Sequence, residues 1–157
     1  MKKALVIGYG NTLRSDDGVG VWVADRIAAL HLPNVDVTTC HQLFPELAAD
    51  ILPYDTVIMV DASADGEPMA VRKSLPLPEH LPSSNHNISP EILYHLAHEM
   101  YGVTIDMRVY TVRGESFEFG SMLSPSVKEQ ATKTIALIVT LLQQIHPKSV
   151  IASFMLN

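Results

Sequence analysis

At 157 residues and 47% apolar content, the chain is sized for a single domain spanning 1–157 with a full core. Its net charge of −6 and scattered Lys and Arg argue against nucleic acid or an anionic membrane as the main partner. A single cysteine, Cys40, excludes an internal disulfide and any cysteine-only metal cluster.

Met1-Lys2-Lys3 is followed by an apolar run too short for a signal-peptide core. The longest apolar run, within Ile135 to Leu142, falls far below the ~20 residues of a membrane span. A soluble, cytoplasmic protein is the expectation.

The first strand, Ala4 to Ile7, runs into Gly8-Tyr9-Gly10-Asn11-Thr12-Leu13-Arg14-Ser15-Asp16-Asp17-Gly18-Val19-Gly20, placed as the first strand-to-helix turn of an α/β domain. Gly8 and Gly10 fit the dinucleotide fingerprint, but Leu13 replaces its third glycine and no acid closes the second strand, Val35 to Thr39. Asp16-Asp17 would also repel a pyrophosphate at the helix N-terminus. One of the two aspartates suffices to cap the helix, which leaves the other to project into the crevice above the sheet, where a cation would neutralise it.

Val19, Trp22, Val23, Ile27 and Leu30 fall at helical spacing, with Pro33 beyond the end. After strand two, Pro45 opens a short helix with Leu47, Ala48, Ile51 and Leu52 as its apolar face. His41 and Glu46 are placed at the crevice edge as substrate contacts. Cys40 at the strand end reads first as a small buried thiol and second as a nucleophile.

Val57-Ile58-Met59-Val60 is a continuous apolar run, the pattern of a central parallel strand, and it ends in Asp61. Ligands of open α/β sheets bind outside the carboxyl ends of strands at the switch point. In a 2-1-3 strand order Asp61 would lean toward Asp16-Asp17; the competing role is a carboxylate capping its own loop.

A short strand, Ala70 to Lys73, precedes a proline-rich connection from Leu75 to Asn85 that delivers His86 to the edge of the next helix. Ser89-Pro90-Glu91 starts that helix, with Leu93, Leu96, Ala97 and Met100 inward, His95 and His98 at its surface, and Gly102 at its end. Thr104 to Val112 alternates as a strand, and 113–120 is a loop with two aromatics. Ser124-Pro125 begins a long helix facing the sheet through Val127, Ala131, Ile135, Ile138, Leu142 and Ile145, stopped by Pro147. The apolar tail within 147–157 has three open roles: covering the body, pairing with a partner, or staying disordered. The sum is an α/β fold, a three-layer α/β/α sandwich with a mostly parallel twisted sheet of about five strands.

Three stretches carry a resemblance over nearly the whole chain: Gly8-x-Gly10-Asn11-x-Leu13-x-x-Asp16-Asp17-Gly18-x-Gly20, Val60-Asp61-Ala62, and Ser84-Asn85-His86-Asn87-Ile88-Ser89-Pro90. The sequence resembles the hydrogenase maturation proteases, nickel-dependent endopeptidases that trim the C-terminus of the nickel–iron hydrogenase large subunit. The resemblance implies a nickel site of Asp17, Asp61 and His86, with His41 or His95 as substitutes for the histidine. In some relatives the histidine follows the proline, where this chain has Glu91. It also implies a large-subunit precursor as partner, with nickel supplied by that substrate, and catalysis through Asp17 and Asp61, with Asp16 taken as the base. Cys40-His41-Gln42-Leu43, where the family often has Asp-Gly-Gly-Thr, resembles the branch serving bidirectional NAD(P)-linked hydrogenases. A non-cleaving checkpoint or chaperone for the large subunit, or a nucleotide-binding domain, are the alternatives. Carboxylate and imidazole ligands suit nickel and would equally accept zinc.

Overall fold

In the computed structural model, residues 2–73, 75 and 88–146 are described. Five strands form one sheet in the order β2-β1-β3-β5-β4. β1 (Ala4–Tyr9), β2 (Val35–Cys40), β3 (Thr56–Ser63) and β5 (Asp106–Arg113) are parallel, and the short edge strand β4 (Met69–Arg72) runs antiparallel to β5. The 2-1-3 order on which the approach of Asp61 to the first turn depends is present.

Two-residue periodicity along each strand divides the core into two layers. Ala4 and Val6 of β1, with Ile58 and Val60 of β3, pack against α1 (Val19–Ala28) and α4 (Pro125–Ile145) through Val23, Ile27, Ala131 and Ile138. Leu5, Ile7 and Tyr9, with Val57 and Met59, face α2 (Leu47–Asp50) and α3 (Pro90–Tyr101) through Leu47, Ile51, Leu93 and Ala97. The result is an α/β/α sandwich whose central strands are apolar on both sides because both sides are covered.

Several expectations are corrected by this packing. Ile105, Met107 and Val109 are buried as expected of an alternating strand, but Tyr110 and Val112 are buried too, because α4 covers the other face of β5. Met100, expected inward on α3, is 64% exposed, and Ile92 takes a buried place instead. Trp22 is only partly buried, and the Arg26 guanidinium stacks 3.4 Å above its ring. β3 continues through Asp61 to Ser63 where the apolar run suggested a stop at Val60, because β5 pairs with it residue by residue as far as Ser63↔Arg113.

The ends of α3 follow the sequence signals. The Ser89 side chain accepts from the Ile92 N–H at 3.2 Å, Pro90 occupies the first turn, and Gly102 closes the helix with φ of 65°. α1 departs from them: its N-cap is Gly18, with no side-chain cap, so neither Asp16 nor Asp17 plays the capping role expected of one of them. Both lie in a single 3-10 turn, Ser15–Gly18, between β1 and α1.

Close approach of α1 to the sheet depends on Gly20. A Cβ there would stand 2.2 Å from the Val60 carbonyl oxygen and 2.7 Å from that of Tyr9, both main-chain atoms that cannot step aside. Gly20→Ala is therefore expected to lose about 2 kcal/mol or more of stability through overpacking, read as a lowered urea midpoint.

Candidate active site

β1 and β3 stay paired only as far as Gly8↔Val60, and beyond that point their chains part. The residues just past the divergence, Tyr9 and Asp61, open a cleft of about 350 Å³ that is also lined by Asn11, Arg14, Asp17, His41 and Ile88. It lies at the carboxyl ends of the parallel strands, where this architecture places ligands. Asp17 and Asp61 meet there from elements more than forty residues apart in the chain.

The β1–α1 turn is shaped to deliver Asp17. Gly10 adopts φ of 143°, and a Cβ on it would lie 2.0 Å from the Asp17 carbonyl oxygen, so only glycine lets the turn close this tightly. Asp17 Oδ2 accepts the Asn11 N–H at 2.6 Å, and Asn11 Oδ1 accepts the Leu13 N–H at 2.9 Å. One oxygen of Asp17 is thus spent on orienting the carboxylate, and the other has no hydrogen-bond donor among the described residues.

Asp61 is the electrostatic centre. Burial pushes its carboxyl up to about 6, and the negative Asp17 adds to the rise; the Tyr9 phenol, the Ala62 N–H at 2.8 Å and the Arg72 guanidinium pull against it. Tyr9 is driven the same way by burial first and then by the Asp61 charge, so its hydroxyl stays protonated at any physiological pH. A part-buried carboxylate whose ionisation a second carboxylate makes costlier fits a cation as neutralising partner.

Asp16 has a different place from the base expected of it. It is 0% exposed and does not line the cleft. Its Oδ2 accepts the Glu115 and Ser116 N–H groups, each at 2.9 Å, and the Ser124 hydroxyl at 2.7 Å, while Oδ1 accepts the Ser124 N–H at 2.7 Å. Burial raises its pKa, yet these four donors outweigh burial and leave it below the usual carboxylate value. Its work is to clasp the β5–α4 loop to the turn that carries Asp17.

The remaining expectations divide. His41 is exposed and lines the cleft; Glu46 is exposed just ahead of α2 and does not. His86 lies outside the described residues, as does the tail 147–157; Ile88, two positions after His86, lines the cleft. His95 sits along α3 away from the cleft lining, and His98, near the far end of the same helix, stacks on Tyr94. Glu91, where some relatives of the resembled family carry histidine, is ion-paired with Arg72 at 3.0 Å. Among the described residues no three of His, Cys, Asp and Glu come together to hold a metal. Cys40 is half-buried and burial pushes its thiol up, opposite to the shift a nucleophile needs.

Tyr9, Asn11 and Arg14 were not singled out by sequence, although all three lie inside the glycine-rich motif. The signal for Tyr9 was its place just past the apolar run of β1, as Asp61 stands just past the apolar run of β3.

No protein-family model and no curated protein matches the chain. Solved structures do. The chain is similar to the NiFe hydrogenase maturation protease HycI from Thermococcus kodakarensis KOD1, at 26% identity over 90% of this chain and 93% of that one, with a TM-score of 0.74. The fold is that of the hydrogenase maturation proteases. The hydrogenase maturating endopeptidase HybD from E. coli agrees, at 24% identity, the same coverage of both chains and a TM-score of 0.67. So does HybD from Thermococcus kodakarensis, at 17% identity over 88% of this chain and 98% of that one, with a TM-score of 0.70. In all three the similarity covers 88–90% of this chain. No described helix is long and apolar enough to cross a membrane.

Proposed function

We propose that the chain is an endopeptidase that removes the C-terminal extension of a nickel–iron hydrogenase large-subunit precursor after that precursor has received its nickel. The observation that supports this most is the meeting of Asp17 and Asp61 in one cleft of a maturation-protease fold. The large-subunit precursor is the protein partner, and its nickel enters the cleft as part of the substrate. Asp17 and Asp61 would hold that ion from two sides, with His86 as the third ligand in keeping with the resemblance. A bound divalent ion supplies polarisation of the scissile carbonyl. The chain's own residues do the remainder: Asn11 fixes the Asp17 carboxylate by its N–H, and Ala62 fixes Asp61 by its N–H. His41 at the cleft edge is placed to meet the incoming polypeptide. In the resembled family's logic, the site acts as a checkpoint, because a precursor without nickel leaves the two carboxylates unneutralised.

Purified chain incubated with nickel-loaded precursor is expected to yield a large subunit shortened at its C-terminus, weighed by mass spectrometry, while nickel-free precursor stays intact. Equal cleavage of both precursors would remove nickel from the proposal. Stable association without any shortening would instead make the chain a non-cleaving checkpoint.

A further inference from the structure

We infer that Leu13, Phe119 and Met122 form a docking surface for the large-subunit precursor, which rests an apolar surface on them while the bond to be cut lies in the adjoining cleft. This rests on the endopeptidase reading above and adds where the substrate protein is held.

Phe119 and Met122 are the two most exposed large apolar side chains among the described residues, at 85% and 80%, and Leu13 is 56% exposed. They come together across a short parallel bridge, Arg14↔Gly120. Leu13 and Phe119 each stand one position before the bridged pair, so their main chains lie side by side at the spacing of paired strands, about 5 Å. Met122 follows two positions after Gly120.

The loop that presents them is firmly held. The Ser15 N–H donates to the Gly120 carbonyl at 2.8 Å and the Gly120 N–H to the Leu13 carbonyl at 2.9 Å. The Ser15 hydroxyl donates to the Glu118 carbonyl at 2.8 Å, and Arg14 Nε to the Phe117 carbonyl at 3.1 Å. Neighbouring apolar residues turn inward: Phe117 packs on Gly114, where a Cβ would stand 2.5 Å from its ring, and Leu123 packs on the core. Phe119 and Met122 are therefore fixed outward on an ordered frame. Apolar groups ordered before binding lose little freedom when a partner covers them, which suits them as anchors of an interface.

Position selects the occupant. Asn11 and Arg14, on either side of Leu13, both line the cleft, so the patch adjoins the cleft wall. A second copy of the chain seated there would crowd the cleft mouth, whereas a substrate protein covers patch and cleft together. The residues that follow His146 start at the other end of α4, about 30 Å away for a 21-residue helix.

Phe119→Ala and Met122→Ala, combined in one chain, test this, with Met100→Ala on α3 as an exposed apolar control. All side chains concerned are exposed, so melting temperatures are expected to match wild type. Cleavage of nickel-loaded precursor, followed by mass spectrometry over a range of precursor concentrations, is expected to show KM raised about 10-fold or more in the double variant, with kcat unchanged. Met100→Ala is expected to alter neither. A double variant with wild-type KM overturns the docking surface and leaves the endopeptidase reading standing. Wild type that sediments as a dimer, and a double variant that does not, would give the patch to a second copy instead. Wild type that binds the precursor without cutting it ends the endopeptidase reading, and an unchanged Kd in the double variant then ends the docking surface as well. Wild type that neither binds nor cuts overturns both.

Discussion

Asp16→Ala is expected to lose about 3–5 kcal/mol of folding stability, a drop in melting temperature of roughly 6–20 °C for a chain of this size. The substitution strands three main-chain N–H groups and the Ser124 hydroxyl, all now satisfied by one buried carboxylate. Each orphaned buried donor costs about 1–3 kcal/mol, and water can relieve only part of that. The loss extends beyond the site of mutation, because the same clasp ties the start of α4 to the β1–α1 turn.

The clasp also has a pH signature. Its folded-state pKa is depressed, so the stability it contributes is fully present above the unfolded value of 3.8 and is lost as pH falls from there through the lower folded value. Wild type should therefore lose stability below pH 3.8 more steeply than Asp16→Ala. Melting temperatures of the two proteins that stay parallel down to pH 2, or an alanine variant within about 2 °C of wild type at pH 7, would contradict the structural role given to Asp16.

Asp61→Asn is expected to have the reverse profile: no processing of nickel-loaded precursor and a metal-free protein that is more stable than wild type at neutral pH. Burial raises the Asp61 carboxyl to about 6, so its folded-state pKa lies above the unfolded 3.8. The native state therefore holds this proton more tightly than the unfolded chain does. As pH rises through the interval from 3.8 to about 6, ionisation is progressively penalised in the native state alone, and the penalty is complete above it. Asparagine, which stays neutral, avoids it and should gain about 1–3 kcal/mol at pH 7, with no gain below pH 3.8. Loss of function joined to a gain of stability is the mark of a residue retained for its chemistry. Denaturant titrations at pH 4 and pH 7, run beside the cleavage assay, read both halves. Unimpaired cleavage by Asp61→Asn, or a destabilised variant at pH 7, would sink the assignment. Asp17→Ala should also abolish cleavage, but it frees the Asn11 N–H and carries no such stabilising signature.

The order of elements was legible because local signals act over a few residues. Continuous apolar runs marked β1 and β3, Ser89-Pro90 and Gly102 bounded α3, and Ser124-Pro125 opened α4. The approach of Asp61 to the Asp16-Asp17 turn was legible for a topological reason: consecutive βα units wound in a 2-1-3 order bring the ends of strands one and three together. The division of labour between Asp16 and Asp17 was not. Neighbouring aspartates in one glycine-rich turn look alike in sequence, and their difference depends on residues 115, 116 and 124, about a hundred positions away.

Sequence alone determined the α/β class and the two acidic elements of the cleft, because hydrophobic periodicity and glycine placement are written residue by residue. Tertiary structure decided which aspartate faces the cleft, how far β3 runs past Val60, and that Tyr9 stands beside Asp61. Those outcomes depend on register between distant strands and on which donors a folded loop brings within hydrogen-bonding distance, and neither is a property of any one stretch of chain.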